Sequence, residues 1–321
     1  MILVITQEGD LSADNFIEWC HYLGKAVVRI NENESTNLVE HITFDNDCNI
    51  LLTIKGQTFN LAQIESVWFR RGTLQHISKA EYLGFDNLED TNSITEYFQN
   101  EGKTISEFII HVLKQKRSLN HPGSYNSNKL ITLKTAQEVG LNIPKTIIVQ
   151  HLADVKRHFE DKPVLTKSIQ DAITVQYEDH SFSPYLSIGK VDELPIPVHF
   201  YYSKFQTLIE AKYELRIFFV ADEYYACAHF TTARNKKANP HRLGVSREVP
   251  YTLPGDVIEK LKKLNAALGF NSGSIDMLVD ESGAYYFLEI NPVGQYDAMS
   301  GFCNYYLDLK ILNFLTNEAP V

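Results

Sequence analysis

Apolar runs of strand length alternate with amphipathic stretches along the first part of the chain. Met1 to Thr6 is one such run, and Glu8-Gly9-Asp10 turns the chain after it. Asp14 to Leu23 then sets Phe16, Ile17, Trp19, Cys20 and Leu23 on one face at helical spacing, and Ala26 to Ile30 is a second strand. Strand, helix and strand in that order predict a small α/β unit with a parallel pair. His41 to Phe44, Ile50 to Ile54 and Gln57 to Leu61 read as strands between Asn-Asp and Lys-Gly turns. Ser66 to Gly72 is a strand that ends in Arg70 and Arg71. The pattern from Asn87 to Ser118 is helical, and Asn120-His121-Pro122-Gly123-Ser124 breaks it at the first predicted domain boundary.

A helix opens at Asn128-Lys129-Leu130 and runs to Val139, with Gly140 as its C-cap. Thr146 to Val149, Val164 to Lys167 and Ile173 to Tyr177 read as strands, and Ala153 to Phe159 as a short helix. Past Pro195 and Pro197 come Val198 to Tyr202 and Phe205 to Glu210. Tyr213 to Val220 and Tyr224 to Thr231 predict an antiparallel pair joined by Ala221-Asp222-Glu223. Ala233 to Arg247 is a basic loop carrying Arg234, Lys236, Lys237, His241, Arg242 and Arg247. Gly255 to Leu268 and a closing stretch from Cys303 to Leu315 are helical.

Ser274 to Gln295 carries the most chemistry. Ile275 to Val279 and Tyr285 to Ile290, joined by Asp280-Glu281-Ser282-Gly283, predict a hairpin. Glu289 and Asn291 are two apart and share a face, which Asp276 on the partner strand can join. Two carboxylates and an amide at one spot suit a hard cation, Mg²⁺ in particular. An ordinary hairpin would leave them in water. Against that, Glu289 is embedded in Phe287-Leu288-Glu289-Ile290, where an unmet charge is costly.

A chain of 321 residues implies two or three lobes. Its net charge of −10 argues against a general nucleic-acid binder, so an anionic substrate must meet a local basic patch. No apolar run approaches the ~20 residues that cross a bilayer, and Met1 to Thr6 is too short for a signal peptide. The expectation is a soluble, cytoplasmic protein. Cys20, Cys48, Cys227 and Cys303 lack metal-ligand spacing and read as buried or incidental thiols. Cys303 next to Asn304 reads as a core thiol, and no nucleophilic triad is visible. His121 and His241 are candidate bases without a partner in the sequence.

Lys129 and Lys167 sit in apolar stretches, and Arg216 lies mid-strand in Glu214-Leu215-Arg216-Ile217, where an anionic partner is expected. Together they could neutralise a polyphosphate held by Mg²⁺. With Asp276 and Leu288-Glu289-Ile290-Asn291-Pro292, this set resembles the ATP-grasp superfamily of carboxylate–amine or carboxylate–alcohol ligases over residues 120–321. The resemblance implies an α/β (α+β) ATP-grasp fold with three parts. These are an amino-terminal α/β pre-ATP-grasp domain (1–120), a central lobe (121–205) and a carboxy-terminal lobe with the metal site (206–321). It also implies that Asp276, Glu289 and Asn291 hold Mg²⁺ and that Lys129 and Lys167 bind ATP phosphates. Gln206 to Glu210, through Gln206 and Leu208, would hold adenine, and either Glu210 or Glu214 the ribose.

A narrower resemblance rests on Val67-Trp68-Phe69-Arg70-Arg71, Ser127-Asn128-Lys129, Val249-Pro250-Tyr251-Thr252-Leu253-Pro254, Asn291-Pro292-Val293-Gly294-Gln295 and Ser300 to Tyr305. These are similar to the graspetide maturases, the microviridin-type and grasp-with-spasm peptide-modifying enzymes. The resemblance implies that Asp or Glu side chains of a ribosomal precursor peptide become acylphosphates. Ser or Thr hydroxyls, or Lys amines, then close macrocyclic esters or amides. Arg216 and Arg247 would act in catalysis, and Arg70, Arg71, Arg234 and Arg242 would meet the acidic core. An insertion near 177–204 would bind the leader, and the protein would be a homodimer. Gln295-Tyr296-Asp297-Ala298 departs from the pattern, which bears on acceptor preference. The alternatives are a ligase that adds glutamate to ribosomal protein, a small-molecule carboxylate–amine ligase, and a non-catalytic peptide-binding module. The presence of Lys129, Lys167, Arg216, Asp276, Glu289 and Asn291 disfavours the last.

Overall fold

The structure is a computed structural model that describes residues 1–32, 39–44, 48–54, 56–74, 91–124, 127–170, 175–177, 180–182, 186–231 and 245–318. It opens with β1 (Ile2–Thr6), α1 (Leu11–Tyr22) and β2 (Val27–Asn31). Next come β3 (Val39–Phe44), β4 (Cys48–Ile54) and β5 (Gln57–Asn60), a separate antiparallel sheet, then β6 (Ser66–Phe69), α2 (Thr91–Leu113) and β7 (Arg117–Leu119). The main sheet here has the order β2-β1-β6-β7, with every pair parallel. The helix expected from Asn87 to Ser118 thus stops at Leu113, and Arg117 to Leu119 form a strand instead. Residues 87–90 lie outside the described residues, as does 173–174 of the strand expected from Ile173.

The middle of the chain gives α3 (Lys129–Glu138), β8 (Thr146–His151), α4 (Leu152–Phe159), β9 (Val164–Lys167), β10 (Val175–Tyr177), β11 (His180–Phe182), β12 (Ser187–Gly189) and β13 (His199–Thr207). The two runs expected on either side of Ser203 are one strand. The sheet β12-β9-β13-β8 is antiparallel. One of its faces packs Phe205 and Val164 against Val155 and Phe159 of α4. By alternation, Lys167, Lys204 and Gln206 stand on the other face.

The last part contains β14 (Ala211–Val220), β15 (Glu223–Thr231), β16 (Val245–Tyr251), α5 (Gly255–Leu268), β17 (Ser272–Asp280), β18 (Tyr285–Asn291), α6 (Asp297–Cys303) and α7 (Leu307–Thr316). The antiparallel sheet β16-β15-β14-β17-β18 buries Leu215, Ile217, Phe219, Ala226, Ala228, Ile275, Met277 and Phe287 against α3 and α5. Its opposite face is divided. Phe218, Val220 and Cys227 sit under α6 and α7 in a core shared with Ile2, Phe16 and Trp68 of the amino-terminal lobe. Glu214, Arg216, Asp276 and Glu289 occupy the rest of it.

The closing helix expected from Cys303 starts instead at Leu307, because Asn304 and Tyr306, after the end of α6, adopt left-handed φ values of 54° and 51°. Tyr296 and Asp297, in the segment that departs from the family pattern, join the lobes. Tyr296 is 1% exposed and donates its hydroxyl to Asp308 Oδ1 at 2.8 Å. Asp297 accepts from Ser12 Oγ at 2.5 Å and Asn15 Nδ2 at 2.8 Å on α1. Both side chains thus pack the amino-terminal lobe against the closing helices. Among the described residues, no helix is long and apolar enough to cross a membrane.

Candidate functional site

The hairpin forms as the sequence predicts. Asp280 Oδ1 accepts from the backbone N–H groups of Ser282 and Ala284, both at 2.9 Å, which fixes the turn. Asp276 pairs in register with Glu289, and Ser274 with Asn291, so the three oxygen donors share one face. A bulge makes this possible. The register skips Leu288 between Met277↔Phe287 and Asp276↔Glu289. With strict alternation Glu289 would lie on the core face of Phe287, and the extra residue turns it to the opposite face.

The loop after the hairpin is held from the amino-terminal side through three successive carbonyls. Asn120 Nδ2 donates to Pro292 at 3.0 Å, Arg71 Nη2 to Val293 at 3.4 Å, and Arg70 Nη1 to Gly294 at 3.1 Å. Gly294 leaves no room for a side chain, since a Cβ there would stand 1.7 Å from Ser274 Oγ and 2.6 Å from its Cβ. Arg70 is 2% exposed, with Nε 3.2 Å from Asp10 Oδ2. Arg71 Nε lies 3.7 Å from the same oxygen. These arginines, expected to face substrate, have internal partners. The contacts to Asp10 are ionic rather than hydrogen-bonded, and Arg70 Nε, Arg70 Nη2 and Arg71 Nε remain buried without a hydrogen-bond partner.

Lys129 is the first residue of α3, whose N-cap Asn128 accepts from Leu130 and Ile131. A cation there opposes the helix dipole and creates an anion site together with it. Lys129 Nζ lies 3.3 Å from Glu289 Oε2, and Lys167 Nζ, from β9, lies 3.5 Å from the same oxygen. Burial works against the Glu289 charge, but Lys167 and Lys129 outweigh it and hold the carboxyl below its usual range. A third lysine, not singled out in the sequence, completes the group. Lys204 pairs with Lys167 across β9 and β13 and is 3% exposed. Burial, then Lys167, brings its ammonium down from 10.5 to about 8.

Arg216 meets Asp276, Nε to Oδ1 at 3.0 Å and Nη2 to Oδ2 at 3.3 Å, so its expected anionic partner is supplied by the protein. Glu214 is pushed up by burial and then by Asp276, offset by Arg216. Gln206 is buried and donates to Thr146 Oγ1 at 2.9 Å, Leu208 is half-buried, and Glu210 is exposed between β13 and β14. Arg247 is not brought to Arg216. It pairs with Phe230, on the face of Ala228, while its neighbour Glu248 pairs with His229 on the face of Arg216. His121 packs on Phe270, and Cys303 is a core thiol. Arg234, Arg242 and His241 lie outside the described residues.

The donors fit magnesium: oxygen ligands only, on one face, with Glu289 held by the ammonium groups of Lys129 and Lys167, which a phosphate would also attract. Asn291 Oδ1 accepts from Val293 N–H at 3.1 Å, which aims the amide.

No protein-family model matches the chain, and no curated protein matches its sequence. Solved structures do. A RiPP-associated ATP-grasp ligase of Chryseobacterium gregarium, in complex with ADP and a leader and core peptide, is similar over 99% of this chain and 97% of its own. The TM-score is 0.77 at 23% identity. Macrocyclase MdnC of Microcystis aeruginosa MRC, bound with its precursor peptide, gives 0.74 at 22% identity over 99% of this chain and all of its own (100%). D-cycloserine synthetase DcsG gives 0.54 at 14% identity, with 99% of both chains covered. From its amino-terminal lobe to its closing helices, the chain has the fold of the RiPP-associated ATP-grasp ligases.

Proposed function

We propose that the chain is an ATP- and magnesium-dependent ligase that crosslinks a ribosomal precursor peptide. A core Asp or Glu carboxylate attacks the γ-phosphate of ATP and releases ADP. A Ser or Thr hydroxyl, or a Lys amine, then displaces phosphate from the acylphosphate and closes a macrocyclic ester or amide. The observation that carries this reading is the convergence of Lys129, Lys167 and Lys204 on Glu289. Three ammonium groups around one carboxylate leave excess positive charge on a cleft face, which suits a polyphosphate. The likeness to ligases with ADP and precursor peptides supports it.

Asp276, Glu289 and Asn291 would hold magnesium, which when bound offsets the repulsion between carboxylate and triphosphate. A polyphosphate engaging Lys129 and Lys167 would release Glu289 for that task. Gln206 and Leu208 line the adenine hinge. Glu214, half-buried on the catalytic face, is favoured over exposed Glu210 for the ribose. Arg216, aimed by Asp276, orients the substrate carboxylate and stabilises charge during transfer. The lobes are taken as 1–120, 121–205 and 206–321. Val198, Tyr201 and Tyr202, exposed at 65%, 81% and 54%, give the 177–204 segment an apolar face for the leader.

The test is incubation with ATP, Mg²⁺ and a small peptide rich in Thr, Ser or Lys and in Asp or Glu, sought in a reading frame beside the gene. The expected result is ADP formation and a peptide mass lowered by one water per crosslink. A peptide mass raised by glutamyl units would replace this reading with the glutamate-ligase one, and no ATP turnover would overturn both.

A further inference from the structure

A second cluster of donor atoms lies on the same sheet face, beyond Arg216 and away from the hairpin. Cys227 and His229 are two apart on β15, and Glu248 is the register partner of His229 on β16. One ligand atom from each lies within 4.8 Å of the others. His229 Nδ1 stands 3.3 Å from Glu248 Oε1. The remaining atoms, His229 Nε2 and Glu248 Oε2, are buried with no hydrogen-bond partner. Two orphaned polar atoms beside a buried thiol are an expensive arrangement unless something binds them. Cys303 of α6 belongs to the same core as Cys227 but is not one of the three residues whose ligand atoms converge.

We infer that Cys227, His229 and Glu248 form a three-residue site for a zinc-class cation, with water completing the tetrahedron. The donor set decides the class. Thiolate and imidazole favour a borderline-soft ion with tetrahedral preference, whereas the all-oxygen set at Asp276, Glu289 and Asn291 favours magnesium. The sites are distinct. Cys227 pairs with Arg216 and Arg216 with Asp276, so two strand spacings, roughly 10 Å, separate Cys227 from the hairpin. On binding, the Cys227 thiol gives its proton to solvent, and one thiolate with the Glu248 carboxylate balances the charge of a divalent ion. The spacing of the cysteines gives no hint of the site, because sheet register assembles it. A bound ion would tie β15 and β16 together.

The site is tested by metal analysis of the full chain purified without chelator. About one zinc per chain is expected, retained in Asp276→Asn and lost in Cys227→Ser, His229→Ala and the conservative Glu248→Gln. Circular dichroism of Glu248→Gln separates ligand loss from unfolding. Cobalt added to metal-free protein should give a thiolate charge-transfer band that Cys227→Ser abolishes and Cys303→Ser leaves in place. Zinc content near zero that added zinc does not raise, equal content in wild type and Glu248→Gln, or a cobalt spectrum without a thiolate band would each overturn the site. None of these readouts depends on ligase activity, so the proposed function stands or falls separately.

Discussion

Replacing Lys204 by Met should stabilise the empty protein and weaken its grip on nucleotide. Met keeps the length and apolar volume of the side chain and deletes the ammonium. In the nucleotide-free site that ammonium is 3% exposed and shares its surroundings with Lys167 and Lys129. The fall from 10.5 to about 8 corresponds to about 3 kcal/mol of penalty on the charged form. The folded pKa lies below the unfolded one, so between about 8 and 10.5 the native state binds fewer protons and stability rises with pH. Below about pH 8 the whole penalty remains, so the gain in Lys204→Met is largest there and fades towards pH 10.5. Nucleotide reverses the balance, since a charge-assisted hydrogen bond to phosphate contributes roughly 1.5–3 kcal/mol. Calorimetric titration with MgADP at pH 7 should show about 10- to 100-fold weaker binding. The melting midpoint of the nucleotide-free variant should rise by several degrees. Wild-type affinity should fall as pH rises through about 8, while that of the variant stays level. Normal ADP affinity in the variant would refute the placement of Lys204 against polyphosphate. A lowered midpoint would show that the ammonium has a structural partner instead.

Glu289→Gln should lower turnover by at least 100-fold, roughly the loss of one charge-assisted metal contact, while circular dichroism stays that of the wild type. Asp10→Asn leaves the Arg70 guanidinium buried without its counter-charge, and urea unfolding should show a loss of about 3–5 kcal/mol. Asp308, raised by burial from 3.8 to about 6, favours its neutral form in the fold. Its contribution is therefore fully present below pH 3.8 and lost as pH rises through about 6. Asp308→Asn should melt higher than wild type above pH 6, with the difference vanishing towards pH 4.

What was legible in the sequence was local. Glu289 stands out because a carboxylate interrupts Phe287-Leu288 and Ile290, and the Asp280 to Gly283 turn fixes which strands pair. Arg216 stands out for the same reason. Lys204 does not, since in Tyr202-Ser203-Lys204-Phe205-Gln206 it has the alternation of any solvent-facing lysine, and only the opposed lobe shows that its face is closed. The bulge at Leu288 is equally silent, though without it the catalytic face would hold Leu288 in place of Glu289. By charge Arg247 groups with its basic neighbours, but strand parity puts Glu248 on the face of Arg216 instead. The arginine pair reads as an anion site because a donor fork has the same signature whether its acceptor is a substrate carboxylate or the carbonyl of Gly294.

The three sheets are joined by different forces, and that difference bears on which lobe responds to ligand. The amino-terminal sheet and the last sheet share one apolar core, in which Phe16, Trp68, Phe218, Tyr296 and Met299 are all buried. Such burial is insensitive to salt and contributes roughly 1.5–3 kcal/mol for each large side chain. The middle sheet has a core of its own, formed by Val155, Phe159, Val164, Val191 and Phe205, which shares no residue with the others. Its described ion-pair link to the last sheet is Lys167 to Glu289, between side chains 32% and 28% exposed. An ion pair that exposed is screened and contributes at most about 1 kcal/mol. The middle sheet with α4, unlike α3, is therefore the part free to adjust. A polyphosphate that takes Lys167 and Lys204 on one side, with metal on Asp276 and Glu289 on the other, would tie it down where the empty protein does not.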